Sequence, residues 1–435
     1  MPMKHSRLVV LASLLSVVAV LAGCGGGDED APAAEVLLRF LTMGTPDEVQ
    51  IFKDLAEEFR AANPSVRVRV MTGTEYLVKL QTLIAADTPP DVFPLLDFHM
   101  RDYVDKGVLL PLGEMAEADP SFDLDDFYPL ALEAMSQDGV LYAIPRDVTS
   151  LVVFYNKSLF DEAGVAYPSA DWDWDELVEK AKALTVYGEG GRIMQYGFGT
   201  QGASEPILVT FVRQNGGAFF DEQRGKFQFD HPAVMGGLQF LADLINVHRV
   251  APGVSAAEQQ DPNALFTSGK LAMYLTGRWN VPTFAQIRSF EWDVCPPAKG
   301  VQSATGTIVS GYMIPKGSPH REEAWQWVKF LTGVEGLTRL TKTGLLVPSR
   351  KSIAESSVFL TPDEPPTADR VFLDVISVGS LTFHVPGYVR FSDEVEKPEL
   401  EYIFAGVKSA REACPAIQTK AEQFLAAAGE RDVSP

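Results

Sequence analysis

Cysteine and histidine are scarce in this chain: three and six, respectively, in 435 residues. No Cys-x-x-Cys pair occurs and the histidines form no cluster with ligand spacing, so a metal centre has no support, and no residue pattern calls for a cofactor. Cys295 and Cys414 are the only cysteines beyond residue 24. An oxidising compartment permits a bond between them, and two isolated buried thiols are equally compatible with the sequence. Positive charge is also short. Lys and Arg number 37 against 58 Asp and Glu, a formal net charge of −21. Such an acidic body repels phosphate backbones, which excludes nucleic acid as a partner. A Gly-x-Ser-x-Gly elbow is missing too.

Long apolar runs are missing except at the start. Lys4, His5 and Arg7 precede an uncharged stretch at 8–22, which ends at Ala22-Gly23-Cys24. Its 15 residues fall short of the roughly 20 that cross a bilayer. Basic start, apolar middle and small-residue end read as an export signal over 1–23. Cys24 after Leu21-Ala22-Gly23 resembles the lipobox of bacterial lipoproteins. That resemblance implies cleavage before Cys24 and its diacylation, a stable anchor because two chains are attached. Residues 24–34, glycine-rich and then acidic, would be a flexible tether. Losing Lys4 and Arg7 moves the net charge from −21 to −23.

About 400 remaining residues exceed one core and predict two domains or lobes. From residue 36 the pattern alternates. An apolar strand at 36–41 is followed by Thr45-Pro46-Asp47-Glu48, a capping box with proline at the first helical position. Phe52, Leu55, Ala56 and Phe59 form one helical face, and Asn63-Pro64 ends it. Strands at 66–70 and from 91 flank a helix at 76–86, so β-α-β-α-β predicts an open parallel sheet. Further helices are expected at 174–184, 233–248, 322–331 and 399–428. The proline-bearing segment 361–366 reads as a surface loop.

Several segments together resemble the sugar-binding branch of the bacterial extracellular solute-binding proteins, which are similar to maltose-binding protein and serve ABC importers. The residues are Asp91-Val92-Phe93; Asp105-Lys106-Gly107; Gly139-Val140-Leu141-Tyr142-Ala143-Ile144-Pro145 with Phe154-Tyr155-Asn156-Lys157; Phe266-Thr267-Ser268-Gly269-Lys270-Leu271-Ala272-Met273 with Gly277-Arg278-Trp279; and Gly311-Tyr312-Met313-Ile314-Pro315 with Glu323-Ala324-Trp325. The resemblance implies an α/β, periplasmic-binding-protein-like fold: two α/β lobes with open, mostly parallel sheets, joined by crossing hinge strands. Lobe one would be 35–147 and 300–350, and lobe two 148–299 and 351–435. Crossings would fall near 146–149, 296–297 and 348–349. It further implies a monomer that holds a sugar, most simply an oligosaccharide, between the lobes and passes it to permease subunits.

A sugar presents hydroxyls and apolar C–H faces, so its site needs carboxylates, amides or Arg together with aromatic rings. In open α/β sheets ligands gather at strand ends. Thr45, Glu75, Tyr76 and Asp97 follow the first three strands, and each is also placed to start a helix. Arg146, Asp147 and Thr149 sit at the first crossing, where Arg146 and Asp147 form a hinge ion pair on the simpler reading. The resemblance gives Trp279 the place of a stacking tryptophan, with Asn280 beside it; the alternative is a core tryptophan. Gly311 and Tyr312 follow a strand, where glycine permits close backbone approach. Tyr388, Arg390 and Glu205 complete the candidates. Trp172 and Trp174 beside Asp171 and Asp173 read as packing and capping. Other roles for such a chain are a sensor or adhesin on the same fold, or a glycoside hydrolase using a pair such as Asp171 and Asp175.

Overall fold

The computed structural model describes residues 35–253, 261–383, 385 and 387–431. The export signal, Cys24 and the tether lie outside them. The expected alternation is present as β1 (Val36–Leu41), α1 (Pro46–Ala62), β2 (Val66–Met71), α2 (Tyr76–Ala85), β3 (Phe93–Leu96) and α3 (Asp97–Asp105). At the start of α1, Thr45 accepts the Glu48 N–H at 3.3 Å and Glu48 accepts the Thr45 N–H at 2.9 Å. Two donors that the helix cannot satisfy are thus paired. Phe52, Leu55, Ala56 and Phe59 are buried as their spacing requires. β1 and β2 pair in parallel from Val36 opposite Val66, and Leu41 N–H reaches the Val92 carbonyl at 3.1 Å to bring β3 alongside. Trp327 closes this core edge-on to Phe40 and Phe59, at 5.7 and 5.2 Å.

One extended run belongs to two sheets. β4 (Ile144–Ser150) pairs with β9 (Thr305–Met313), which also pairs with β3. After Leu151 the chain continues as β5 (Val152–Asn156), between β7 (Met273–Thr276) and β8 (Trp292–Cys295), while β6 (Gly199–Thr200) lies on the outer side of β7. The chain returns from β8 to β9 through 296–304. A third segment touches the same place: Ser349 Oγ donates to the Pro145 carbonyl at 2.7 Å, and Pro348 bridges Asp147.

The expectation of mostly parallel sheets needs correction. β1–β2 and β6–β7 are parallel, but β3–β9, β4–β9, β5–β7 and β5–β8 are antiparallel. A helical crossover keeps strand direction, whereas a strand that passes between lobes comes back reversed beside its neighbour. The α/β class and two-lobe architecture stand.

The second core gathers Phe160, Trp172, Phe198, Phe211 and Leu238. It receives α4 (Trp174–Leu184), α5 (Glu205–Gln214) and α6 (Pro232–Asn246). Asp173 and Glu176 form the expected capping box, Trp172 donates to the Pro296 carbonyl at 2.8 Å, and Trp174 stacks on Phe240 at 3.8 Å. The short α7 (Val281–Phe284) follows β7; α8 (Arg321–Thr332) and α9 (Val334–Thr341) follow β9. The C-terminal helical region is two helices, α10 (Lys397–Phe404) and α11 (Ala410–Arg431). Cys295 and Cys414 are free and buried, so the isolated-thiol alternative holds. Among the described residues no helix is long and apolar enough to cross a membrane.

Candidate functional site

A cavity of about 1060 Å³ opens between the start of α1 and the segment around α7. Thr45 and Glu48 line one side, Trp279, Pro282 and Thr283 another, and Thr343 a third. Trp279 is half-buried and packs on the second core. Its ring folds back over Gly277, where a Cβ would lie 2.0 Å from Trp279 Cζ3. Glycine at 277 is therefore what lets the indole occupy this wall. Thr45 is both the α1 cap and a cavity residue.

A second constellation is buried where α3, α5 and the C-terminal region meet. Asp97 opens α3, is 2% exposed, and accepts the Val309 N–H at 3.3 Å. Burial pushes its carboxyl up to about 7, against the opposing pull of that N–H and of Arg101. Glu205 opens α5 and is also pushed up to about 7, by burial and then by the nearby Glu396 carboxylate. Tyr388 is buried and donates its hydroxyl to Glu396 Oε2 at 2.7 Å. Glu396, itself 2% exposed, is held by a π-helical turn at Ser392–Glu396, and burial raises its pKa. Sequence reading missed Glu396. The available signal was its spacing: Glu396, Leu400 and Ile403 fall at i, i+4 and i+7, placing an acid on an apolar stripe.

The remaining candidates do not line the large cavity, although Arg146 and Tyr312 lie within electrostatic reach of Glu48. Glu75 and Tyr76 line a smaller, apolar cavity of about 330 Å³ with Met43, Leu96 and His99. The Tyr76 hydroxyl is occupied by the Pro94 carbonyl at 2.5 Å. Asn280 is buried and donates to Thr276 Oγ1 at 2.9 Å. Arg390 is exposed, donates to Glu394 at 2.9 Å and lines a separate 520 Å³ cavity with Asp102 and Lys106.

Arg146, Asp147, Thr149, Gly311 and Tyr312 belong to the β4–β9 ladder. Arg146 Nε donates to Asp147 Oδ2 at 2.7 Å, and Ser310 Oγ donates to the same oxygen at 2.5 Å. This is the hinge ion pair of the simpler reading. Thr149 is buried opposite Ile308. At Gly311 a Cβ would meet Met135 Sδ at 2.7 Å, so glycine there answers core packing. Tyr312 is fully buried, edge-on to Phe40 at 5.9 Å. Asp171, with its side chain 93% exposed beside Lys299, and Asp175 are surface carboxylates.

The description "Bacterial extracellular solute-binding protein" matches residues 45–337. An arabinooligosaccharide-binding protein of Bacillus subtilis is 24% identical over 355 residues, covering 77% of each chain. A maltotriose-binding protein of Pyrococcus abyssi is 24% identical, covering 66% of this chain and 60% of its own. An ABC substrate-binding protein from Listeria monocytogenes, solved with cycloalternan, is 27% identical with a TM-score of 0.81; the match covers 90% of this chain and 99% of that one. The chain belongs to the bacterial extracellular solute-binding proteins, a family of binding proteins that work outside the cytoplasm.

Proposed function

We propose that this protein captures a sugar, an oligosaccharide, in the cleft between two lobes and hands it to the permease subunits of an ABC importer. The observation that carries the reading is the half-exposed Trp279 ring on the wall of a 1060 Å³ cavity that Thr45 and Glu48 also line. An indole covers the C–H face of a sugar ring, and hydroxyl and carboxylate groups of the same cavity exchange hydrogen bonds with the rim. The sugar-binding names of the Bacillus and Pyrococcus relatives support the ligand class. Asp97 and Glu205 serve as hydroxyl acceptors in this proposal, from opposite lobes. The lobes divide at 35–147 with 300–350 and 148–299 with 351–435, and they move about the strands near 146–149, 296–297 and 348–349.

Trp279→Ala is expected to weaken binding of the best oligosaccharide by about 1–3 kcal/mol, roughly fivefold to 150-fold, with the fold intact. Calorimetric titration measures this, and wild-type affinity in the variant removes Trp279 from the site.

Hydrolysis needs one protonated and one ionised carboxyl. Here burial raises both Asp97 and Glu205, so the environments do not divide the roles. Incubated oligosaccharide is expected to be recovered unshortened.

Cys24 is the membrane anchor in this reading. Cys24→Ser is expected to move the protein from the membrane fraction to the soluble one and to abolish incorporation of labelled fatty acid. Continued labelling would place the lipid elsewhere.

A further inference from the structure

The sheet face formed by β1 and β2 is covered at one end and open at the other. The even-numbered residues of both strands turn to the core that holds α1, so the odd-numbered ones share the opposite side. Near the end of the strands Leu41 and Met71 on that side pack with α2. At the start, Leu37 lies beside Arg67 and Arg39 beside Arg69. Leu37 is 45% exposed, and Arg67 and Arg69 are exposed. Arg39 is taken: it pairs with Asp91 at 3.7 Å and donates to the Thr88 and Pro89 carbonyls. Arg67 and Arg69 have neither an ion pair nor a side-chain hydrogen bond among the described residues. Two bare cations on one open face stand out in a chain of net charge −21.

The chain enters the sheet at this same end. Val36 N–H donates to the Ser65 carbonyl at 2.8 Å, and Glu35 pairs with Arg60 at 2.9 Å. Upstream come the uncharged Ala31-Pro32-Ala33-Ala34 and then the acidic Asp28-Glu29-Asp30. The chain from Asp30 to Val36 can span up to about 20 Å. Arg67 lies one strand spacing of about 5 Å from β1, and Arg69 about 7 Å further along, so the acids reach both with slack for a turn. Exposed ion pairs are individually weak, but so short a connection holds the acids at millimolar effective concentration beside the arginines.

We propose that Asp28-Glu29-Asp30 docks on Arg67 and Arg69, with the segment 31–34 lying over Leu37, which makes the stretch before β1 a strap that salt releases from lobe one. An anionic membrane is the poorer occupant of this face, because the acidic body is repelled by it. With the anchor at Cys24, docking leaves only 24–27, about 14 Å of chain, between membrane and lobe, against about 40 Å for 24–34 released. The proposal does not depend on the sugar reading.

The test is the spin-label spectrum of the unlipidated chain from residue 24 onward, which keeps every described residue, with Cys24→Ser and Ala31→Cys. Cys295 and Cys414 are buried, so the nitroxide goes to the added thiol. At about 20 mM salt an immobilised component is expected, and about 0.5 M salt is expected to reduce it by about twofold or more. Arg67→Thr with Arg69→Thr is expected to abolish it at low salt while denaturant unfolding stays unchanged, both residues being exposed. Arg67→Glu and Arg69→Glu combined with Asp28→Lys, Glu29→Lys and Asp30→Lys is expected to restore it. An immobilised component that survives in the Thr variant, or that salt leaves unchanged, overturns the strap, as does its failure to return on charge exchange. A label that tumbles freely in the unsubstituted background at low salt also overturns it, and sedimentation with phosphatidylglycerol vesicles that requires both arginines then assigns the face to the membrane.

Discussion

Asp369→Ala is expected to cost about 3–5 kcal/mol of folding stability, the usual scale for removing one partner of a buried ion pair. Arg278 and Asp369 are 5% and 2% exposed. Asp369 Oδ1 takes the guanidinium, and Oδ2 accepts both the Thr361 N–H and its hydroxyl at 2.9 Å. The guanidinium sits over the Phe359 and Phe372 rings at 4.2 and 4.9 Å. Burial pulls the Arg278 pKa down, but the group remains charged at any ordinary pH. Without Asp369 that charge stays between two rings with no counter-ion, and water must enter or the loop must open. Denaturant unfolding measures the loss. A cost under about 1 kcal/mol means that water already reaches the pair, as it does for surface pairs. Arg278→Met with Asp369→Leu removes both charges together and is expected to recover most of the stability, because the pair's worth is small beside the penalty of half a pair.

The same residue shows where the sequence was legible and where it was not. Thr45-Pro46-Asp47-Glu48 could be read as a helix start because every partner lies within four residues. The β-α-β-α-β order followed from apolar spacing for the same reason. Trp279 was picked out by its motif, and Gly277 has a local cause, the ring that folds over it. The partner of Arg278, however, is 91 residues away, and nothing in Gly277-Arg278-Trp279 encodes it. Gly311 and Tyr312 show the same limit. Their neighbours include Met135 and Phe40, which only the sheet brings alongside, so proximity to a strand end could not be told from core packing. Asp97 was placed correctly at a strand end, but its burial depends on β9, over two hundred residues later. The parallel sheet was overextended because periodicity identifies strands without giving the direction in which distant ones pair.

Burial of Asp97 carries the second large expectation: the ligand-free protein loses stability as pH rises from about 4 to about 7. The carboxyl titrates near its ordinary 3.8 when unfolded and at about 7 when folded, so the native state holds the proton more tightly. Its favourable contribution is complete below the unfolded value and disappears as pH passes the folded one. A rise of that size corresponds to stability on the order of 4 kcal/mol. Glu205 and Glu396 are raised in the same direction and add to the slope. Arg101 and the Val309 N–H oppose it at Asp97, and Lys397 opposes it at Glu205 and Glu396. His99, on the same helix, is held below its ordinary value by burial, with Asp102 pulling the other way. Asp119 behaves oppositely: hydrogen bonds from Lys329 and Ser121 depress it, so its contribution is lost only on acidification below the ordinary carboxylate range. The two effects occupy different windows. Asp97→Asn keeps an uncharged group at every pH, so the separation between unfolding curves at pH 5 and 7.5 should be clearly smaller in the variant than in the wild type, with the remainder coming from Glu205 and Glu396. Equal separation in both would mean that Asp97 is ionised and solvated in the native protein. A sugar hydroxyl donating to Asp97 favours the ionised form, so saturating ligand is expected to flatten the wild-type slope and to release protons on binding near pH 6.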